Sequence, residues 1–290
     1  MLFTTIDFII FFIVIVTSLV IIKNGKLQYL LLLAASYLFF YFSSNYLIIL
    51  LIFTTVWDFY FGKLIYDTEN LKRKKIILII SLAGNLGLLG FYKYADFAIT
   101  QFNILGNYFD LQSEIPLLDL ALPIAISFYT FHSITYTVGL YRKHFEPSKS
   151  FTEYALFVAF FPLLVAGPIL RAKDFLPQLR EKIDNFHSKS GLKRITIESS
   201  NLRFGITLMA LGFFKKMFFA DNIAPMVNDI FNNPIGHDSF TIILGAIGFG
   251  IQIYCDFSGY TDIAIGAAII LGFKIPKNFN KPYFATSPAD

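Results

Sequence analysis

Residues 252–266 read QIYCDFSGYTDIAIG. They set two carboxylates, Asp256 and Asp262, beside Gln252, Tyr254, Ser258, Tyr260 and Thr261 in an otherwise strongly apolar run. A charged group in hydrocarbon is costly, so such residues face a bundle interior, a watery path or a cationic partner. Two kinds of chemistry are open to them. Either the carboxylates touch a substrate, or they brace the protein, Asp256 as the cap of a broken helix and Asp262 in a pair with a basic side chain such as Arg171. His132, in ISFYTFHSITY, is the one histidine inside an apolar run. Its imidazole has the pKa range of a general base, and a satisfied interhelical hydrogen bond is the structural alternative. His144, His187 and His237 fall in polar stretches and read as solvated, and Lys215 and Lys216, in GFFKK, read as snorkelling residues at a helix end. Cys255 is the single cysteine, which excludes an internal disulfide and leaves no metal-ligand set, so no metal site is expected. The chain shows neither nucleophile-triad spacing nor a glycine-rich phosphate loop.

The elements that must position these groups are membrane helices. Of 290 residues, 56% are hydrophobic and 15% charged, with a mean hydropathy of +0.61, where a soluble domain carries roughly 25% charged residues. Apolar runs fall at 8–22, 27–42, 46–61, 76–92, 120–141, 154–170, 202–214, 240–255 and 257–273. Ser43, Ser44 and Asn45 offer a turn inside the uncharged stretch 27–56. The apolar stretch 240–273 is too long for one crossing and is expected to break at DFSGY, where Asp256 or Ser258 would cap the second half. In that half Ala264, Ala268 and Gly272 recur every four residues and would admit a close helix, with Ser258, Asp262 and Gly266 as the neighbouring stripe. Residues 160–171, FFPLLVAGPILR, carry Pro162, Gly167 and Pro168, and basic residues lie on both sides, which predicts a re-entrant hairpin. Beyond it Phe175, Leu176, Leu179, Ile183 and Phe186 recur at helical spacing among charges, as in an interfacial amphipathic helix within a cytoplasmic segment 171–200. The fold class that follows is all-α: a single polytopic transmembrane helical bundle over 1–290, with broken helices and a re-entrant hairpin.

Charge sets the orientation. The net charge of +4 comes from Lys and Arg clustered in loops, a topology signal rather than a nucleic-acid footprint. Lys23 and Lys26, then Lys63 and residues 72–75, mark cytoplasmic loops, as do Arg142, Lys143, Lys149 and the basic residues after 170. Residues 92–120 hold Lys93 against Asp96, Asp110, Glu114 and Asp119 and read as an external loop, which places the N-terminus outside a plasma (inner) membrane. No basic residue precedes the first apolar run, so it reads as a retained helix and not a cleaved signal.

Five ordered blocks carry a family resemblance: LPIAISFYTFHSITYTVGLYR (122–142), FFPLLVAGPILR (160–171), GFFKKMFFAD (212–221), QIYCDFSGYTDIAIG (252–266) and GFKIPKNFNKPYFATSPAD (272–290). Together they resemble the signature blocks of membrane-bound O-acyltransferases, most of all the bacterial subgroup that O-acetylates alginate and other exported polysaccharides. Ser258 and Asp262 separate this chain from the related D-alanyl transferases of teichoic acids, whose block resembles DFAGYSLFAVG. Against the family pattern, His132 stands at a glutamine position, Gly139 at an aspartate position and Leu163 at a glutamine position.

The resemblance implies helices around a central funnel, with an acyl donor on one side and an acceptor hydroxyl reached from the other. Gln252, Asp256, Ser258, Tyr260, Asp262, Arg171, Asn278 and Tyr283 are then expected along the substrate path. It implies a donor of the acyl-CoA or other activated-carrier type, no bound cofactor, a polysaccharide acceptor, the lipid bilayer and extracytoplasmic acetylation proteins as partners, and no nucleic acid. It also implies that the catalytic histidines follow Asp290, so none is expected within these 290 residues; His132 is the internal candidate. Two other readings of the residues remain: a transporter or flippase subunit that moves its substrate past the aspartates, and a non-catalytic scaffold of a polysaccharide-modification complex.

Overall fold

The computed structural model describes residues 1–109, 114–165, 167–183, 195 and 197–287. Asp110, Ala166, the Ile183 side chain, Phe186, His187 and Asp290 lie outside what is described. The described residues form helices and no strands: α1 (Ile6–Ile21), α2 (Gly25–Ser44), α3 (Ile48–Asp67), α4 (Leu71–Tyr108), α5 (Ile126–Tyr141), α6 (Phe151–Ala159), α7 (Phe161–Leu164), α8 (Ala172–Ile183), α9 (Ser199–Phe213), α10 (Asp221–Asn232) and α11 (Ser239–Ile270). Among the described residues three stretches are long and apolar enough to cross a membrane: Gly25–Asp67, Leu71–Tyr108 and Ser239–Ile270. The protein is an all-helical membrane bundle.

Helix starts follow local chemistry. Thr5 accepts from the Phe8 N–H before α1, Asn24 from Lys26 and Leu27 before α2, and Asn70 from Lys72 and Arg73 before α4. The turn expected at 43–45 is present: Asn45 is left-handed at φ 51°, and a 3-10 turn, Asn45–Leu47, separates α2 from α3.

Three sequence expectations need correction. First, α11 does not break at DFSGY; it runs unbroken for 32 residues, about 48 Å against a hydrocarbon core of about 30 Å. No proline interrupts it, and a glycine weakens a helix by about 1 kcal/mol without removing its hydrogen bond. Asp256 and Ser258 are therefore mid-helix residues and not caps. Second, the expected external loop is mostly helix, because α4 continues through Tyr108. Polar side chains on its last turns find backbone partners: Asn103 bonds both the N–H and the C=O of Ile115, and Asp96 accepts from the Leu118 N–H. Third, the helix does not end at GFFKK. Residues Phe214–Ala220 form a π-helical segment that joins α9 directly to α10.

Residues 160–171 are not one straight helix. The chain leaves helical geometry at Phe160 (φ −53°, ψ 104°), and α7 is a single turn with Pro162 in its first two positions, where no helical donor is lost. The Phe161 N–H donates to Ser36 Oγ at 3.2 Å, and residues 160–164 are buried, as irregular backbone at membrane depth requires.

The chain divides into two compact units. One comprises Met1–Phe39, Phe160–Leu170 and Pro177–Asp290, the other Phe40–Ala159 and Arg171–Leu176. In the first, Phe3, Phe8, Phe12, Phe39 and Phe161 form an aromatic core, and buried Gln28 ties the Leu19 carbonyl to both backbone groups of Ile195. In the second, α3 to α6 pack around Tyr129, Tyr136, Tyr154 and Phe157, all fully buried. On α8, Phe175, Leu176 and Leu179 form a buried face, with Phe175 beside Phe157 in the second unit.

Candidate functional site

The site of the first unit is a seam between α9, the π-helical segment and α11. Gly205 and Gly212 on α9 stand seven residues apart, as do Gly259 and Gly266 on α11, so each pair returns to one helix face. A Cβ on Gly212 would lie 2.6 Å from the Gly259 carbonyl oxygen, and one on Gly266 would lie 2.6 Å from the Gly205 carbonyl oxygen. The helices run antiparallel with their backbones in contact, which only glycine permits. The close crossing expected at Ala264, Ala268 and Gly272 thus lies on a different face. Ala264 and Ala268 are fully buried, with Gly167 next to Ala264, while Gly272 (φ 82°) is the left-handed residue just past the helix end.

Close approach brings lysines to the aspartates. Asp256 and Asp262 are six residues apart, about 9 Å along α11 and about 120° around it. The consecutive Lys215 and Lys216 reach both. Lys215 Nζ bonds Asp262 Oδ2 at 2.6 Å; Lys216 Nζ lies 2.7 Å from Asp256 Oδ1 and 2.6 Å from Asp221 Oδ1. The Lys216–Asp256 contact misses hydrogen-bond geometry, so it is a charge pair and not a directed bond. The Lys215–Asp262 side chains are only 23% and 19% exposed, so this pair is the more desolvated. A π-helical segment is the kind of local widening that recurs at functional sites, and here it carries both cations. Lys215 and Lys216 are the residues the sequence misassigned. The signal that could have found them is the pair of carboxylates itself, since buried acids call for bases.

Around the seam, Lys216 Nζ sits 5.6 Å from the Tyr260 ring centre, and the Tyr260 ring lies tilted against Phe3 at 6.0 Å between centres. Asn278 Nδ2 donates to Thr261 Oγ1 at 3.4 Å, and the Tyr283 hydroxyl donates to the Gly250 carbonyl. Tyr254 packs edge-on to Phe279 and near Tyr283, so the chain after α11 folds back along the helix carrying the aspartates. Ser258 Oγ is buried and Gln252 Oε1 is shielded, and neither has a hydrogen-bond partner among the described residues. Gln252, Asp256, Ser258, Tyr260, Asp262, Asn278 and Tyr283 therefore share one unit and one helix with its return segment.

The second unit holds the other two candidates. His132 is buried on α5 at 1% exposure, 6.1 Å ring to ring from Phe157. Neither ring nitrogen meets hydrogen-bond geometry; the Val158 backbone is the polar group that acts on it. The expected interhelical hydrogen bond therefore has its counterpart in this contact with the Val158 backbone of α6, and not in a described side chain. Arg171 is exposed and lines an open cleft with Arg142, His144 and Lys173. Sequence reading passed over Asp58, a fully buried carboxylate on α3. It accepts from Ser81 Oγ at 2.9 Å and from Asn85 Nδ2 at 2.8 and 2.9 Å, and has no ion pair with a described residue. The cost of a carboxylate in an apolar run was signal enough to single it out.

A family model for the membrane-bound O-acyltransferase family matches residues 121–288, a span that contains the Lys–Asp seam, His132 and Arg171. The chain belongs to the membrane-bound O-acyltransferase family. It is 31% identical over 259 residues to a peptidoglycan O-acetyltransferase of Helicobacter pylori, covering 81% of this chain and 46% of that protein. It is 35% identical over 236 residues to a probable alginate O-acetylase of Pseudomonas putida, covering 80% and 45%. A teichoic acid D-alanyltransferase of Bacillus subtilis is 27% identical over 172 residues, 58% of this chain and 40% of that protein. The chain spans about half the length of the relatives it matches.

Proposed function

We propose that this chain forms part of an O-acyltransferase that moves an acetyl or similar acyl group onto hydroxyls of a polysaccharide at the membrane. The observation that carries the reading is the family match, which covers the seam that joins Lys215 and Lys216 to Asp256 and Asp262. Relatives named for O-acetylation of alginate and peptidoglycan supply the acceptor class. With a lysine Nζ already set against each carboxylate, the pairs suit positioning and electrostatic stabilisation better than proton abstraction from a hydroxyl. The base role suits a histidine, and His132 is the candidate inside an apolar run of this chain. The donor is an acyl-CoA or another activated carrier, and extracytoplasmic acetylation proteins complete the transfer.

In this reading the N-terminus is extracytoplasmic in a plasma (inner) membrane, the hairpin at 160–171 enters and leaves on the cytoplasmic side, and the seam lines a funnel. The support is the Lys/Arg distribution and the interrupted backbone at Phe160 and α7. The test is glycan acetylation by the full-length protein in cells. Lys215→Met and Asp262→Asn should each lower acetyl content well below that of the exposed-site variant Glu69→Ala at matched protein levels. Equal acetylation by all three removes the seam from the reaction. Labelling of a Lys74→Cys variant, made in a Cys255→Ser background, by an impermeant external thiol reagent would refute the orientation.

A further inference from the structure

We infer that the cleft between the end of α5 and the start of α8 is a binding site for a phosphate-bearing anion. The inference rests on the second unit alone and is independent of the acyltransferase reading. The cleft, about 340 Å³, is lined by Ile134, Thr135, Val138, Gly139, Phe145 and Ala172 together with Arg142, His144, Arg171 and Lys173. Its volume falls within the range of small-molecule pockets, about 300–1,000 Å³. Two arginines, a lysine and an imidazole surround it, and no acidic residue lines it among the described residues. None of these four side chains makes an ion pair or hydrogen bond with another described residue. Asp174, in the first turn of α8, is not part of this lining; like charges gathered without a counter-charge in the lining repel, and a bound anion removes that repulsion.

The backbone supports the same sign. Ala172 and Lys173 open the 12-residue helix α8, where the first N–H groups have no helical acceptor and the helix end carries partial positive charge. At the opposite wall α5 ends, and its carbonyls would disfavour an anion. Those carbonyls are already engaged, however, Val138 by the Arg142 N–H, Leu140 by Lys143 and Gly139 by His144, in a turn closed by the left-handed Lys143. Gly139 also lets the Phe145 ring lie directly against α5, which a Cβ would forbid, and that ring walls the cleft. The arginines offer forked donors matched to phosphate oxygens, while Ile134, Val138 and Phe145 give an apolar floor. That combination fits a phosphate ester with an organic portion better than a bare ion. The ester is either a soluble phosphorylated molecule or a phospholipid headgroup.

Two measurements separate the sources. Calorimetric titration of the purified protein in neutral detergent with inorganic pyrophosphate should show saturable binding. Arg142→Gln and Arg171→Gln should each weaken it about tenfold, as loss of one charge-assisted contact implies, and Lys93→Gln should not. In the second arm, the protein is released from phosphatidylglycerol nanodiscs and the lipid retained is counted by native mass spectrometry. Pyrophosphate binding that depends on both arginines assigns a soluble phosphate ester. Lipid retention lost in Arg142→Gln and Arg171→Gln, with no pyrophosphate binding, assigns a headgroup. Absence of arginine-dependent binding in both arms, with thermal midpoints of the variants matching the parent, overturns the site.

Discussion

Each of the two units keeps carboxylates among apolar helices, and they do it by different means. In the first, Asp256 and Asp262 on α11 meet ammonium groups from the π-helical segment. In the second, Asp58 on α3 meets no cation among the described residues and is held by the neutral donors of Ser81 and Asn85 on α4. A charge pair sets a cation against the acid and leaves a strong local dipole at a partly open seam. A neutral cage satisfies the oxygens without a second ion and leaves the group closed off. The difference matches burial: Asp58 is fully buried, whereas Asp256 keeps 45% of its side chain exposed. The open, charged arrangement suits contact with a substrate, and the closed one suits structure.

The comparison breaks most sharply at the glycines that make the seam possible. Gly259→Leu places a side chain against the Gly212 carbonyl oxygen, already 2.8 Å from a Cβ, so α9 and α11 must separate. The expected cost is at least about 4 kcal/mol, seen as loss of the cooperative thermal transition. Gly87→Ala on α4, where nothing lies within 4 Å of the new Cβ, should leave that transition unchanged or raise it slightly.

The charge pair gives the next effect. Lys215→Met leaves Asp262 without its partner and should cost about 2 kcal/mol, less than a fully buried pair because both side chains keep some exposure. The double variant Lys215→Met/Asp262→Leu should recover most of that stability while glycan acetylation stays low. Recovery of activity along with stability would make the pair a brace and nothing more. At Asp58 the order should reverse: Asp58→Ala strands the Ser81 hydroxyl and the Asn85 amide and should cost about 2 kcal/mol, while Asp58→Asn should cost about 1 kcal/mol and leave acetylation intact. Acetylation lost in Asp58→Asn at full stability would move function into the second unit.

The smallest effect is expected at the start of α11. The Asp238 carboxylate accepts from the Thr241 N–H at 2.7 Å, and that bond holds its pKa below the ordinary 3.8. A group lowered on folding adds stability above its unfolded pKa and loses it as pH falls through the folded value. Acidification below about pH 4 should therefore fray this helix start slightly, and Asp238→Asn should flatten the dependence in a thermal titration.

Much of the molecule is legible in 290 letters. Composition and the spacing of apolar runs determine an all-helical membrane protein, because a chain in hydrocarbon must satisfy its backbone internally. The signature blocks determine the family, Ser43, Ser44 and Asn45 mark the turn before α3, and the prolines of 160–171 mark an interrupted segment. Tertiary structure alone decided the rest. Whether α11 breaks at DFSGY is not a local matter: Gly259 weakens a helix, yet packing of its bare backbone against Gly212 repays that loss, and the helix continues. Lys215 and Lys216 look like helix-end residues in one dimension because their partners on α11 lie 47 and 40 positions away, and ion pairs form between neighbours in space. The cleft at Arg142 and Arg171 is set in the same way, by a helix end and a helix start 29 residues apart that the fold brings to one wall.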